Sequence, residues 1–420
     1  MLRHFYTILF YLALPLVILR LLWKSRLNAH YRKNIGMRFA CSPLRFEKSI
    51  WIHAVSLGET RLAEKLIAPI KAAHPNTPIV FTSATPTARA QVMKMQEHNP
   101  DIHHHYIPFD TPMMMRAFIK KINPLCCAII ETELWPNMLH TLHKQQIPCF
   151  LINARLSAQS AQKYQRIAKI CADMLGCFTR IYAQDPDHVR RFMALGASED
   201  KIAAYGQMKY DVRIDPSIAE NATHLLSAHP KPLVWVAAST HHPEEQYIVD
   251  TYVALKAQFK NLLLVLAPRH PERASACEKY LSQKGLSFQR RSQKGPLDAQ
   301  NSVLLGDTLG DMMLYYQMSD VVFIGGSLIP HGGQNPIEPA ALGKPLVTGP
   351  HMHNFAHSFE LFLEGNALVC VKDQAHLLQE MRALLEDPKR IKKMGQQAKA
   401  LMQAHQGATA RLCEDFLTRF

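Results

Sequence analysis

Residues 321–350 read VVFIGGSLIPHGGQNPIEPAALGKPLVTGP, and this stretch indicates the fold of the second half of the chain. An apolar strand runs into a glycine-rich loop and then into Asn-Pro-Ile-Glu, which is typical of a helix start. Glycines let backbone N–H groups approach an anion, and the helix beginning near Pro336 points its positive end the same way. We therefore expect a bound anion. The alternative is that Pro336 only starts a helix and that the glycines only serve turns.

Polar residues in three loops of this half suit one nucleotide-linked ligand. Asn335 and Glu338 place an amide and a carboxylate one helical turn apart, which suits neighbouring hydroxyls of a ribose or sugar. Arg269 follows a predicted strand, and its planar guanidinium can bind two phosphate oxygens at once. Residues 306–311, Gly-Asp-Thr-Leu-Gly-Asp, open a helix whose N–H groups can also meet a phosphate.

From residue 49 onward, short apolar runs alternate with longer helical patterns, which predicts an α/β fold of βα units around parallel sheets. The predicted strands form two series, at residues 50–54, 79–83, 104–107, 128–131, 150–153 and 181–183, and at 233–238, 262–267, 302–305, 321–324, 345–347 and 368–371. Because 420 residues exceed the size at which single cores stop growing, we expect two domains that face a cleft.

The expected domain order follows from these two series and from the chain ends. We predict an anchor helix at residues 1–26, an N-terminal Rossmann-like domain at 27–212, and a C-terminal Rossmann-like domain at 233–400. Residues 213–232 contain three prolines and no strand pattern, so they are the predicted linker. Residues 401–420 are expected to form a helix that packs back on the N-terminal domain.

Composition excludes several classes of protein. With 48% hydrophobic and 20% charged residues, the chain is globular and not disordered. Nine cysteines without a C-x-x-C pair predict reduced thiols in a cytosolic protein. The net charge of +14 suggests a nucleic-acid partner, but basic residues are not interleaved with aromatics along any predicted folded face. We therefore expect no nucleic acid.

Much of the positive charge lies at the N-terminus, where residues 1–50 hold nine Lys or Arg and one acidic residue, Glu47. The apolar run FYTILFYLALPLVILRLLW, residues 5–23, lies among them, and this combination predicts contact with anionic lipids of a membrane. The positive-inside tendency then places the rest of the chain in the cytoplasm. The basic residues that follow the run are Lys24, Arg26, Arg32 and Lys33.

The apolar run is expected to remain in the protein, because it ends in Trp23-Lys24 and not in a small-residue cleavage site. Its uncharged part, residues 5–19, would measure about 22 Å as a helix, against roughly 30 Å of bilayer hydrocarbon. It spans the bilayer only if Arg20 reaches the interface. Pro15 and the short length leave open that the segment is a core helix of a soluble protein.

Charged residues also follow predicted strands in the first half. Glu59 is a candidate general base, but Ser56 and Glu59 have the spacing of a capping box, and spacing alone favours the cap. Glu131 ends the fourth strand, where it can support catalysis or form a buried ion pair with Arg155. Lys209 is a candidate anion-binding residue in a weakly charged turn, although the sequence alone favours an ordinary solvated lysine.

No metal or cofactor is predicted. Asp185-Pro186-Asp187 has the Asp-x-Asp spacing of a metal-binding DxD motif, but it follows a strand and is better explained as a helix cap. The histidines at residues 103–105 and at 351 and 353 lack a second pair at zinc-site spacing.

Eight segments, in order, resemble those of the 3-deoxy-D-manno-octulosonic acid (Kdo) transferases of lipopolysaccharide inner-core synthesis. They are residues 53–59 (HAVSLGE), 131–137 (ETELWPN), 153–157 (NARLS), 268–273 (PRHPER), 306–310 (GDTLG), 325–327 (GGS), 335–338 (NPIE) and 349–355 (GPHMHNF). The resemblance implies a GT-B fold with an acceptor domain and a CMP-sugar-binding domain, and membrane association at the cytoplasmic face. It also implies CMP-Kdo as the donor and a lipid A precursor as the acceptor.

The resemblance assigns roles by position. Glu59 corresponds to the general base, and Glu131 and Lys209 correspond to groups that support the transition state, so a metal-free attack with inversion at the anomeric carbon is expected. Pro243 and Gln207 depart from the family, where glycine and asparagine or serine are usual. The residues expected to bind CMP-Kdo are Pro268, Arg269, Leu309, Gly310, Asp311, Asn335, Pro336, Ile337 and Glu338.

Two other functions remain open at this point. One is another GT-B enzyme that uses a UDP-sugar, and it is distinguished by which nucleotide protects the protein against heat. The other is a non-catalytic binder of glycolipid at the membrane surface, against which the three phosphate-type loops count.

Overall fold

The computed structural model describes residues 2–27, 31 and 33–420. The chain divides into two compact units: unit 1 comprises Met1–Asp211 with Gly407–Phe420, and unit 2 comprises Val212–Gln406. Arg32, one of the basic residues predicted to follow the apolar run, lies outside the described residues, as does Met1 at the start of the predicted anchor.

Each unit contains one seven-stranded sheet whose strands all pair in parallel. The strands of unit 1 are β1 Ser49–His53, β2 Ile79–Ser83, β3 Ile102–Tyr106, β4 Pro124–Ile130, β5 Cys149–Ala154, β6 Arg180–Ala183 and β7 Ile202–Ala204. Those of unit 2 are β8 Leu233–Thr240, β9 Leu262–Pro268, β10 Phe288–Arg290, β11 Val303–Leu305, β12 Val321–Ile324, β13 Leu346–Thr348 and β14 Leu368–Cys370. The spatial orders are β3-β2-β1-β4-β5-β6-β7 and β10-β11-β9-β8-β12-β13-β14.

Helices cover both faces of each sheet, which is why the central strands are largely apolar and do not alternate with polar residues. The helices before the second sheet are α1 Leu2–Leu27, α2 Leu57–Ala73, α3 Pro86–His98, α4 Pro112–Ile122, α5 Pro136–Lys144, α6 Ala158–Gln165, α7 Ala168–Gly176 and α8 Pro186–Ala194. The later ones are α9 Ile218–Leu225, α10 Glu244–Lys256, α11 Ala274–Gln283, α12 Met312–Met318, α13 Ile337–Ala341, α14 Ala356–Glu364, α15 Gln374–Glu386, α16 Pro388–His405 and α17 Ala408–Phe416.

Helix starts follow from local chemistry. Thr85 and Thr111 cap α3 and α4 through their hydroxyl oxygens, and a proline occupies the first turn of each helix. Asp185 caps α8 by accepting the His188 N–H at 2.9 Å, so the capping interpretation of Asp185-Pro186-Asp187 is confirmed. These caps fix where each chain segment leaves the sheet and therefore place the loops that follow the strands.

The predicted α/β fold is confirmed, and all twelve predicted strands are present with ends that differ by up to four residues. The largest difference is at β4, which starts at Pro124. The sequence analysis missed β7 and β10, which have three residues each and no run of apolar residues long enough to signal a strand. The predicted linker, residues 213–232, contains α9, which packs on α12 in unit 2.

Asp211 ties the C-terminal segment to the rest of unit 1. Its carboxylate accepts the N–H groups of Gly407 and Thr409, at 2.6 and 2.7 Å, and the Thr409 hydroxyl at 2.6 Å. Helix α17 then packs Leu412 and Phe416 into a hydrophobic cluster with residues of the unit 1 sheet. The ring of Phe416 meets that of Phe150 edge-on, with 4.9 Å between the ring centres. The last helix therefore completes the hydrophobic core of unit 1.

We expect Asp211→Ala to lower the free energy of unfolding by about 1–2 kcal/mol, because two N–H groups at the start of α17 lose their acceptor. Chemical denaturation followed by far-ultraviolet circular dichroism measures this change. Asp101→Ala is the control, since Asp101 forms only an exposed ion pair with Lys71 and its loss should change stability little. Equal stability of the two variants would contradict the role assigned to Asp211.

Candidate active site

The order of the strands places the candidate residues. In unit 1 the strand order reverses between the neighbouring strands β1 and β4, and in unit 2 it reverses between β8 and β12. Ligands of open parallel sheets bind beyond the carboxyl ends of the strands at such a point. The candidate site of unit 1 is therefore formed by the loops that follow β1, β4 and the neighbouring strand β5. The candidate site of unit 2 is formed by the loops that follow β8, β12 and the neighbouring strand β9.

Glu59 forms a capping arrangement at the start of α2. Its Oε2 accepts the Val55 N–H at 2.7 Å, and its Oε1 accepts the Ser56 hydroxyl at 2.6 Å. The Ser56 Oγ in turn accepts the Glu59 N–H at 3.4 Å. The cap that spacing favours is therefore confirmed. It also holds the carboxylate, which is only half-buried, in one orientation just beyond the end of β1.

Glu131 follows β4 and pairs with Arg155, whose Nε lies 3.1 Å from its Oε2. The ion pair considered from the sequence is therefore present, but it is not buried, because the Arg155 side chain is 62% exposed. Its backbone is in the left-handed region, with φ of 64°, which turns the chain sharply away from the sheet. Burial raises the pKa of Glu131, and the negative charge of Glu59 raises it further. The positive charges of Arg155 and Lys209 act in the opposite direction.

Lys209 is not the solvated lysine that the sequence alone favours. Burial lowers its pKa to about 8, Arg155 lowers it further, and the charge of Glu131 opposes them. The ammonium lies 5.0 Å from the centre of the Tyr210 ring. Lys209 is therefore half-buried in unit 1, within electrostatic reach of Glu131.

The turn that carries Lys209, Met208–Tyr210, is fixed by residues that are distant in the sequence. The Asn153 Oδ1 accepts the Met208 N–H at 3.2 Å. The Lys65 ammonium on α2 donates to the carbonyl oxygens of Met208 and Asp211, at 2.6 and 2.8 Å. These bonds connect the Lys209 turn to the helix that Glu59 starts and to the end of β5.

Glu133 is a candidate that the sequence analysis did not single out. Burial raises its pKa to about 7, the Trp135 indole opposes this by donating to its Oε2 at 2.7 Å, and the charges of Glu59 and Glu131 raise it further. Trp135 also meets the ring of His53 edge-on at 5.7 Å. The sequence feature that could have identified Glu133 is that it and Glu131 follow the same strand, two residues apart.

Three carboxylates and two cations therefore meet at the carboxyl edge of the unit 1 sheet. One carboxylate, Glu133, changes charge near neutral pH, and Lys209 does so about one unit higher. Groups with such shifted pKa values are suited to proton transfer and to stabilising developing charge.

In unit 2 the glycine-rich loop binds an anion, but the anion is a carboxylate of the protein. The Glu244 side chain, fully buried at the start of α10, accepts the N–H groups of Gly326, Ser327 and Leu328, at 2.6, 2.9 and 2.9 Å. It also accepts the His241 N–H at 3.0 Å. The expectation that these N–H groups receive a ligand anion is therefore wrong. A buried carboxylate needs such donors to offset its lost hydration.

The other glycines of this stretch make room for protein segments. A Cβ on Gly325 would overlap the Ser239 carbonyl, and a Cβ on Gly332 or Gly333 would overlap the side chains of Asn354 or Met352. The loop after β12 therefore packs tightly against the end of β8 and the loop after β13. Sequence alone predicts close approach at these glycines but not what approaches.

The predicted donor-binding residues lie on three loops. Arg269 is exposed just after β9, with its N–H bonded to the Thr240 carbonyl at 2.9 Å. The Asn335 Oδ1 accepts the Ile337 N–H at 3.0 Å and so shapes the start of α13, where Pro336 and Ile337 are buried and Glu338 is half-buried.

Three histidines bring the loops after β8, β9 and β12 together, and the sequence analysis did not predict this cluster. The His241 ring lies 4.0 Å from that of His331 and 5.7 Å from that of His270. Burial lowers the pKa of His241 to about 4, and the two other histidines and Arg269 lower it further. The cluster therefore places Arg269 and Pro268 beside the loop that leads to Asn335.

The third loop makes different contacts. Leu309 is 80% exposed and Gly310 has φ of 99°, which only glycine adopts readily. The Asp311 carboxylate accepts the Thr308 hydroxyl and lies 3.6 Å from the Arg291 Nε. Among the described residues, no group of three or more His, Cys, Asp or Glu is placed to hold a metal ion.

Comparisons with known proteins agree with both halves of the chain. The family model "3-Deoxy-D-manno-octulosonic-acid transferase (kdotransferase)" matches residues 24–212, and the model "Glycosyl transferases group 1" matches residues 240–401. The 3-deoxy-D-manno-octulosonic acid transferase of Haemophilus influenzae is 34% identical over 98% of this chain and 97% of its own length. The enzyme of the same name from Bordetella pertussis is 32% identical over 90% and 88%.

A solved structure shares the fold at low identity. The UDP-GlcNAc 2-epimerase of Neisseria meningitidis, solved with UDP-GlcNAc bound, matches 89% of this chain and 100% of its own with a TM-score of 0.59. Its sequence is only 14% identical, so the likeness concerns the fold alone.

The raised pKa of Glu133 predicts a pH-dependent cost to folding. The Glu133 carboxyl group loses its proton near pH 4.5 in the unfolded state and near pH 7 in the folded state. The free energy of unfolding of the wild type therefore falls as the pH rises through this window. Glu133→Gln removes the ionisation. We therefore expect its stability relative to wild type to increase between pH 4.5 and about 7 and to stay constant above.

Chemical denaturation of both proteins across this pH range measures the difference. Glu64→Gln is the matched control, because it makes the same substitution at an exposed position on α2. A flat profile for Glu133→Gln would show that Glu133 is ionised like an ordinary glutamate.

Proposed function

The chain belongs to the 3-deoxy-D-manno-octulosonic acid (Kdo) transferase family, and from this premise we propose that it transfers Kdo from CMP-Kdo to a lipid A precursor with inversion at the anomeric carbon. Family membership makes it a glycosyltransferase of the GT-B type. The observation that carries the finer proposal is the group of Glu59, Glu131 and Lys209 at one edge of the unit 1 sheet, because a glycosyl transfer needs a base and positive charge.

We assign acceptor binding and proton transfer to unit 1. Glu59 accepts the proton of the attacking hydroxyl, while the Val55 N–H and the Ser56 hydroxyl keep its carboxylate oriented. Glu131 and Lys209 support the transition state, because their opposite charges are half-buried close to each other and can stabilise charge that develops nearby. A single displacement from the face opposite the leaving group inverts the anomeric carbon.

We assign CMP-Kdo binding to unit 2. The exposed guanidinium of Arg269 suits two oxygens of the phosphate that leaves with CMP. Asn335 and Glu338, at the start of α13, suit ribose hydroxyls, while Pro336, Ile337 and Pro268 shape the pocket. Leu309, Gly310 and Asp311 offer backbone groups and an exposed apolar side chain on the next loop. Because Glu244 already occupies the loop at residues 326–328, that loop is assigned a structural role.

We further propose that the protein works at the cytoplasmic side of the inner membrane. Within the part of the chain that the structure describes, the segment Arg3–Arg26 is the one helix long and apolar enough to cross a membrane. The basic residues that follow it favour the cytoplasmic, anionic lipid surface. A lipid A precursor is itself held in that membrane, so an enzyme that acts on it must reach the lipid surface.

We expect Glu59→Ala to reduce the rate of Kdo transfer roughly 100- to 10,000-fold, which is the usual contribution of a general base. The affinity for CMP should change little, because Glu59 lies in unit 1. Mass spectrometry of the lipid product gives the rate, in EDTA because the mechanism uses no metal, and calorimetry gives the affinity.

The control for this variant is Glu64→Ala, which removes an exposed carboxylate from the same helix and should keep wild-type activity. Thermal unfolding checks that loss of the cap has not unfolded the protein. An active Glu59→Ala enzyme would mean that the carboxylate serves only as a helix cap.

Arg269→Ala should weaken CMP binding roughly tenfold to a hundredfold, because a charge-assisted hydrogen bond to phosphate is lost. Arg190→Ala is the matched control, since Arg190 is 72% exposed on α8 and pairs only with Asp187 at the surface. Calorimetric titration with CMP measures both affinities. If Arg269→Ala and Arg190→Ala bind CMP equally well, Arg269 is not part of the donor site.

A further inference from the structure

Helix α1 has two apolar faces with different surroundings. One face packs on the hydrophobic core of unit 1 through Phe10, Leu14, Val17, Ile18 and Leu21. Residues 10, 14, 17 and 21 are three or four apart, and Ile18 lies one turn after Leu14, so the five residues form one stripe of the helix. The opposite face is exposed, and its large side chains are Phe5, Ile8, Leu9, Leu12, Leu16, Leu19 and Trp23, with exposed fractions of 55–71%.

The packed face of α1 also carries polar bonds near its N-terminus. The Thr7 hydroxyl and the Arg3 guanidinium donate to the Asn137 Oδ1, at 3.0 and 3.2 Å. Tyr6 forms a hydrogen bond with Asp110. Both partners are buried polar residues, and the Asp110 carboxylate accepts the N–H groups of Asn137 and Met138 at the start of α5.

These contacts extend from Arg3 to Leu21, which is about 27 Å of helix at 1.5 Å per residue. A helix that crossed the bilayer could not keep them, because it would carry the buried polar groups of Asn137 and Asp110 into hydrocarbon or break their bonds. Leaving the groups unpaired in the protein would be costly as well.

We infer that α1 does not cross the bilayer but lies in the plane of the membrane surface, with its exposed face in the acyl-chain boundary and its other face docked on unit 1. Such helices bury their apolar face about 5–10 Å deep. Arg20, Lys24 and Arg26 near the end of the helix then meet anionic headgroups. The inference rests on the proposed membrane location and refines it.

The docked helix also connects the membrane to the candidate site. Asn137 follows Trp135 and Pro136 directly, and Trp135 holds Glu133 through its indole N–H. The membrane surface is therefore held at a fixed distance from the Glu131–Glu133 loop by three hydrogen bonds and one apolar stripe.

Depth-dependent quenching of tryptophan tests this arrangement in the full-length protein. Trp23→Phe removes the tryptophan of α1, and Phe5→Trp, Leu12→Trp or Leu19→Trp is added to it one at a time. The vesicles contain phosphatidylglycerol and phosphatidylcholine brominated at a shallow, middle or deep acyl position. Trp51 and Trp235 are fully buried, and the Trp23→Phe parent corrects for all remaining tryptophans.

An in-plane helix predicts that shallow bromines quench all three positions most strongly and to the same extent. Phe10→Trp, on the docked face, should be shielded. A spanning helix would instead place position 12 deepest and positions 5 and 19 shallow, and this result would overturn the inference while leaving the membrane location intact. Absence of quenching at every position would overturn the membrane location as well. Transfer activity is measured separately in detergent, so a failure of the proposed reaction is distinguished from a failure of the membrane arrangement.

Discussion

All strands in each sheet run in the same direction, and this constraint determines where chemistry can occur. Parallel strands bring all their carboxyl ends to one edge, so polar residues that follow separate strands become neighbours there. In unit 1 this edge gathers Glu59, Glu131, Glu133 and Lys209, whose charges act on one another. In unit 2 it gathers His241, His270 and His331 beside Arg269.

The number of backbone donors separates structural carboxylates from candidate catalytic ones. Glu244 receives four backbone N–H groups and Asp211 receives two, and each joins distant segments of its unit. Glu131 has an ion pair at the surface and Glu133 has one indole donor, so their charges are less compensated. Burial raises the pKa values of Glu131 and Glu133. Having few protein donors, their carboxylates can still bind a substrate.

The fold was predictable because apolar strand runs and helix caps are local patterns. Glu59 and its cap were predictable for the same reason, since Ser56 is three residues away. The burial of Lys209 was not, because it depends on Lys65 and Asn153, which are distant in sequence. That the glycine-rich loop binds the Glu244 carboxylate was not predictable either, since Glu244 lies 82 residues before Gly326. Roles in catalysis came from the family resemblance and not from spacing.

The measurement that tests the central claim most directly is the mass of the lipid product. The purified chain is incubated with a lipid A precursor in the presence of both CMP-Kdo and UDP-GlcNAc, so that the enzyme chooses its donor. The account predicts that the precursor gains only the mass of Kdo and that CMP is released in equal amount. A gain of the mass of N-acetylglucosamine, or no gain while the protein remains folded, would contradict it.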